Sequence, residues 1–335
     1  MKKIQQILLT IILIQFNSYC AHSGEVFLKV IDEDGRPVEG ASVHAGYKTL
    51  GGSPVHEIGN DKTGQTDRNG FWLYSGIDYA KMASDFGSGA TKVGFYETRA
   101  QTIGMRSIKQ GLYNNSTNPI VITLKKIISP VPMYAKEVKQ KLPAEEGSFG
   151  YDLVVGDLVI PFGKGVTADF IFQISPASKT NTTAQFRWNW NLNITFIGKN
   201  NGIQPFFVPH RNAPHYGLIS DHNAPATGYY PSLLEADGNW RKRYEEPDYR
   251  KSERYWMEEV NYYFRVRSKA DGSAIYGIIR GLFRDEHWGN DVVPHVTFYY
   301  LLNPDGTRNV EFDPKRNLFE LHTLKKDDKL PIIGW

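Results

Sequence analysis

Phe186-Arg187-Trp188-Asn189-Trp190-Asn191-Leu192-Asn193-Ile194-Thr195-Phe196 alternates without a break. Six apolar side chains fall on one side of an extended chain, while Arg187, Asn189, Asn191, Asn193 and Thr195 fall on the other. That is the pattern of a strand with one buried and one wet face. Trp188 and Trp190 are therefore expected in a core. Asn is depleted in strands, so three of them on one face call for hydrogen-bond partners: solvent, a neighbouring loop or sugar hydroxyls. Solvent is the commonest answer.

The segments around this strand extend the same reading. Tyr151 to Ile160 and Val166 to Ile174 are extended runs joined by Pro161-Phe162-Gly163-Lys164-Gly165. In the second run Val166, Ala168, Phe170, Phe172 and Ile174 share one side. The Gly-Lys-Gly between them is read as a hairpin tip, because no helix-forming segment follows to make it a phosphate loop. Further strands are expected at 260–267, 273–283, 295–302 and 308–312, with reversals at Asp271-Gly272 and Asn303-Pro304-Asp305-Gly306. Residues 150–335 thus predict an antiparallel β-sandwich or jelly-roll-like domain.

That domain carries a long irregular insertion, 203–258, rich in His, Pro, Tyr and Trp. Irregular segments of this length in compact domains tend to be functional or flexible. Trp240, Tyr255, Trp256, Tyr229 and Tyr230, with Arg243, suit a saccharide groove, where ring faces meet sugar C–H surfaces and charged groups take hydroxyls. The competing reading is that these rings pin the loop onto the sandwich. His210, His215, Asp221 and His222 offer imidazole and carboxylate donors for a divalent metal. Pro209, Pro214 and Gly217 prevent any helical face from aligning them, so loop-packing histidines are the plainer reading. Asp285, Glu286, His287 and Asp291 read as a solvated turn. No pair of carboxylates stands out at glycosidase spacing, and no Gly-x-Ser-x-Gly elbow precedes a helix.

Upstream, Val26 to Ile31 reads as a strand followed by the Asp34-Gly35 turn, and Pro37 and Gly40 shape the return into Ala41-Ser42-Val43-His44. Asn69-Gly70 repeats the device before Phe71-Trp72-Leu73-Tyr74. Three blocks in this order, Asp34 to Val43, Thr66 to Phe71 and Lys92 to Glu97, resemble the carboxypeptidase regulatory-like domain. Ile120 to Lys125 would be its closing strand. The resemblance implies a transthyretin-like (prealbumin/Ig-like) sandwich over 24–126, a non-catalytic module that spaces, docks or supports a neighbour. The loops 75–89 and 100–117 are longer than that compact pattern. Pro130 and Pro132 favour an extended linker over 127–149, within which 134–139 could be a helical turn or a strand laid along the second domain. The fold class expected is all-β, in two domains.

Lys2 and Lys3, an apolar run from Ile7 to Phe16 and a polar stretch to Ser23 have the three-part layout of a secretory leader over 1–23. The run is shorter than the roughly 20 residues a spanning helix needs. Cys20, the sole cysteine, resembles a lipoprotein acceptor preceded by a bulky Tyr19; cleavage after Ser23 is the alternative. A chain cut there has no disulfide and no thiolate metal ligand. The formal charge of +3 falls to about +1 without the leader, far from the basic surplus that nucleic acid requires. Aromatic residues make up 13% of the chain, which suits ring-rich sheets with wet outer faces. The expectation is an exported accessory protein of the cell envelope that binds a polysaccharide or an envelope protein without turnover. No cofactor is expected, and membrane contact is expected only through a lipidated Cys20. The alternative is an extracellular hydrolase, glycosidase-like or metal-assisted, working from the insertion.

Overall fold

The computed structural model describes residues 23–50, 57–144, 146–176, 190–209, 217–236, 258–286 and 295–319. The chain divides into two compact units, Met1–Lys125 and Lys126–Trp335. Among the described residues both are built almost wholly of strands, so the protein is all-β.

The first unit contains β1 (Ser23–Asp32), β2 (Ser42–Leu50), β3 (Glu57–Gln65), β4 (Phe71–Asp78), β5 (Phe86–Thr91), β6 (Thr98–Ile103), the short helix α1 (Met105–Lys109) and β7 (Ile120–Leu124). They form a three-stranded sheet, β4-β1-β7, and a four-stranded sheet, β3-β2-β5-β6. Every second residue of β1 (Val26, Leu28, Val30) is buried with Val43, Ala45 and Tyr47 of β2 and Phe86 of β5. The turns follow from their acids. Asp32 Oδ1 accepts the N–H groups of Asp34 and Arg36, and Asp67 Oδ1 accepts those of Asn69 and Phe71. Gly70 adopts φ 77°, and a Cβ there would stand 2.4 Å from the carbonyl oxygen of Val30, so no other residue fits without a shift.

The second unit begins with β8 (Val131–Lys141), β9 (Gly147–Asp152), β10 (Asp157–Leu158), β11 (Phe170–Pro176) and β12 (Trp190–Phe196). It continues with β13 (Gly202–Pro209), β14 (Ser232–Ala236), β15 (Glu258–Val266), β16 (Ile275–Glu286), β17 (His295–Asn303) and β18 (Phe312–Asn317). Two sheets result, β10-β9-β11-β12-β14 and β13-β15-β16-β17-β8-β18. Neighbours are antiparallel except β18, which runs parallel to β8. Their facing sides share one core in which Tyr151, Phe170, Phe172, Leu192, Ile194 and Phe196 meet Tyr262, Phe264, Phe283, Phe298 and Tyr300. A sandwich follows directly from this alternation.

Several expectations need correction. The insertion 203–258 is not irregular throughout, because β13 reaches Pro209 and β14 covers Ser232–Ala236, each paired into a sheet. Asp285 and Glu286 do not lie in a turn, because they end β16 and pair with Val296 and His295 of β17. Residues 127–149 are not simply a linker, because β8 occupies 131–141 and β9 begins at 147. Pro130 and Pro132 are compatible with this because the ladder to β17 starts only at Tyr134, beyond both imino groups. The run 151–160 is not one strand: Asp152 Oδ1 accepts the N–H groups of Val154 and Val155, Gly156 turns at φ 70°, and β10 is a separate short strand. Val166 does not share the inward side with Phe170, Phe172 and Ile174. Its N–H and that of Thr167 bond Asp152 Oδ2 instead of a neighbouring strand, and its side chain is 80% exposed. The alternation read at 192–196 does hold, with Leu192, Ile194 and Phe196 all buried. Phe186 to Asn189 lie outside the described residues, and of Trp190 only the strand pairing is described.

Candidate functional site

Within the insertion, the described residues 217–236 bring Tyr229 onto the outer face of the six-stranded sheet. Its hydroxyl donates to the carbonyl of Pro225 at 2.7 Å, its ring lies 6.4 Å from that of Tyr276, and the Arg265 guanidinium sits over it at 5.1 Å. Burial raises the Tyr229 phenol well above its ordinary pKa, so it remains a donor. Tyr230, by contrast, is 63% exposed. Its backbone exchanges two hydrogen bonds with Ile203, and Gly202 is required beside it: a Cβ there would stand 2.2 Å from the Tyr230 carbonyl oxygen. One ring of the pair anchors the segment while the other faces water.

Asp221 is exposed, and its N–H donates to the Tyr263 hydroxyl at 3.0 Å. Burial pushes that phenol up to about 12. His222 turns the other way: its Nδ1 lies 3.4 Å from Oε2 of Glu311, a buried carboxylate that also accepts the N–H groups of Ile128 and Ser129. Among the described residues no group of three potential metal ligands converges. His210, His215, Trp240, Arg243, Tyr255 and Trp256 lie outside the described residues, as do His287 and Asp291.

The outer face of the five-stranded sheet carries a neutral polar ladder. Gln173 on β11 stands opposite Asn193 on β12. The Gln173 carbonyl oxygen accepts from Asn193 Nδ2 at 2.6 Å and from the Thr195 hydroxyl at 3.2 Å. That leaves Gln173 Nε2 and Asn193 Oδ1 without a partner among the described residues, one donor and one acceptor side by side at the surface. Ser148, paired with Gln173 from the other side, extends the row with a hydroxyl.

A second feature was not foreseen: a polar clamp under an apolar loop. Arg267, the residue after β15, takes φ 53° and sends Nε and Nη2 to both oxygens of Asp169 at 2.8 and 3.0 Å. Nη2 also reaches Asp152 Oδ1 at 2.8 Å. The Asp169 side chain is 0% exposed and that of Asp152 3%, so both charges are desolvated and the geometry must compensate. It does so with backbone donors: Leu153 N–H to Asp169, and four N–H groups (Val154, Val155, Val166, Thr167) to Asp152. Asp157 adds the N–H groups of Leu158 and Lys164. Held in this way, the loop presents Val155, Ile160, Phe162 and Val166 to solvent at 40, 69, 51 and 80% exposure. The signal available in the sequence was acids at both ends of a glycine-rich stretch. The arginine that joins them lies about a hundred residues downstream, where no local pattern reaches.

The clamp titrates with a defined sign. Burial opposes ionisation of Asp152, but the N–H groups of Thr167, Val166 and Val155 together with the Arg267 cation outweigh it and hold the carboxyl below its ordinary value of 3.8. Its contribution to stability is complete above that value and is lost as pH falls through the folded-state pKa. At Asp169 burial dominates over the Arg267 hydrogen bonds and raises the pKa, so its contribution has the opposite sign and fades as pH rises through the folded value. Asp152→Asn is therefore expected to flatten the acid limb of the stability curve below about pH 4. Urea midpoints measured across pH 2 to 7 would show it; an unchanged acid limb would contradict the assignment.

No protein-family model matches the chain, and no curated protein matches it.

Proposed function

We propose that this is an exported accessory protein of the cell envelope, whose leader and N-terminal module serve delivery and docking, and which binds a neutral polysaccharide without turning it over. The observation that carries the ligand class is the Gln173–Asn193–Thr195 ladder, with an amide N–H and a carbonyl that have no partner among the described residues. Paired neutral donors and acceptors on a flat strand surface match the alternating hydroxyls of a sugar chain, and they attract no ion. Binding is favoured over hydrolysis by the state of four buried carboxylates of the second unit. Asp152, Asp157, Asp169 and Glu311 all accept backbone N–H groups, and Asp169 the Arg267 guanidinium as well, so their oxygens are engaged in holding the fold.

The test is affinity electrophoresis against a panel of neutral polysaccharides. The parent chain is expected to be retarded by at least one of them. Gln173→Ala/Asn193→Ala is expected to weaken that retention about tenfold or more, corresponding to two lost hydrogen bonds. Because both side chains are at the surface, the thermal midpoint should stay nearly unchanged. Retention of the double variant equal to the parent would overturn the placement on this face, and failure of the parent on every polysaccharide would overturn the ligand class.

A further inference from the structure

We infer that the loop from Val155 to Val166 is a membrane-contacting tip that enters the surface of an anionic bilayer. The inference stands apart from the polysaccharide reading, since none of the ladder residues takes part.

Four large apolar side chains within twelve positions face solvent here, and Ile160, Pro161 and Phe162 are consecutive and all exposed. Isolated exposed apolar residues need no explanation, but several gathered in one short segment do. The loop is not a collapsed surface waiting for order. Phe162 N–H bonds the Val159 carbonyl, Ile160 N–H bonds that of Gly165, Gly165 N–H bonds that of Leu158, and Phe162 rests edge-on against Phe149 at 5.3 Å. The clamp beneath fixes its base. Side chains held out in this way lose little freedom on transfer into an apolar phase.

Charge chooses the occupant. Every carboxylate in the segment, Asp152, Asp157 and Asp169, is buried, and each accepts backbone or Arg267 N–H groups. Lys164 is the one exposed ionic group between Asp157 and Asp169. A tip with a cation, exposed apolar residues and no exposed anion is complementary to acyl chains beneath anionic headgroups. Size argues the same way. A specific protein interface takes about 800 Å² from each partner, more than four side chains on a turn can supply, whereas insertion into lipid gains per side chain and needs no matching pocket.

The test uses the full-length chain carrying Cys20→Ser, which removes the acceptor for an acyl anchor and leaves the chain without a thiol. Val166→Cys then places a single environment-sensitive fluorophore on the loop. With vesicles of phosphatidylglycerol and phosphatidylethanolamine, the label should brighten and shift to the blue. Co-sedimentation of Ile160→Ser/Phe162→Ser should fall by about tenfold or more relative to the Cys20→Ser parent. Lys164→Glu should weaken it about fivefold, with the loss shrinking at high salt. A label that stays in water at saturating vesicle concentration, or a double variant that sediments like its parent, would overturn the tip. Equal binding to phosphatidylcholine vesicles would overturn the anionic preference. Neither result bears on polysaccharide retention, so the two readings fail separately.

Discussion

Arg267→Met is expected to lower the unfolding free energy of the second unit by about 3–5 kcal/mol, because it strands two buried carboxylates. Asp169 would lose both members of its bidentate pair and Asp152 one donor, and both carboxylates are buried. Urea unfolding followed by tryptophan emission reports mainly on this unit, since six of the seven tryptophans lie at 188 or beyond. The charge-neutralised variant Arg267→Met/Asp169→Asn should recover part of the loss, the non-additivity expected of groups that share one network. A single-variant change below about 1 kcal/mol would mean that the cluster is surface-like in its energetics.

Phe170→Ala should cost a similar amount, about 3–5 kcal/mol, by a different route. The ring is fully buried at the middle of the sandwich, stacked on Tyr151 at 5.6 Å and within 6.0 Å of Phe172, Phe196, Phe283 and Phe298. Its neighbours come from both sheets, so a cavity there cannot close by moving one strand. The m-value should stay constant while the midpoint falls; a change in m would signal a looser native core. Phe170→Leu keeps part of the volume and should cost less.

What the sequence revealed and what it concealed differ by the range of the interaction. Alternation within a strand is local, and Leu192, Ile194, Phe196, Phe170 and Phe172 could be placed from it. The turns at Asp34-Gly35 and Asn69-Gly70 were legible for the same reason; that Asp32 and Asp67 brace them through N–H groups two to four residues on is added by the structure. Val166 was misplaced because a carboxylate fourteen residues earlier takes its N–H and lifts it out of register. The roles of Arg267 and Glu311 carry no local signal, since their partners lie about 100 and 180 residues away. The amide face was legible as a row of Asn on one side of β12; that it cross-links to Gln173 required the register of β11.

The position of β8 bears on how such a chain is made. The first strand of the second unit lies hydrogen-bonded between β17 and β18, the last two described. Until residues near 303 have emerged, from a ribosome or through a translocation channel, β8 has neither neighbour, and until those near 317 follow the six-stranded sheet cannot close. The first unit needs no later segment for its own sheets and can fold during synthesis, while the second must wait with its aromatic core exposed. Chaperone dependence should therefore be confined to the period before the end of the chain is delivered.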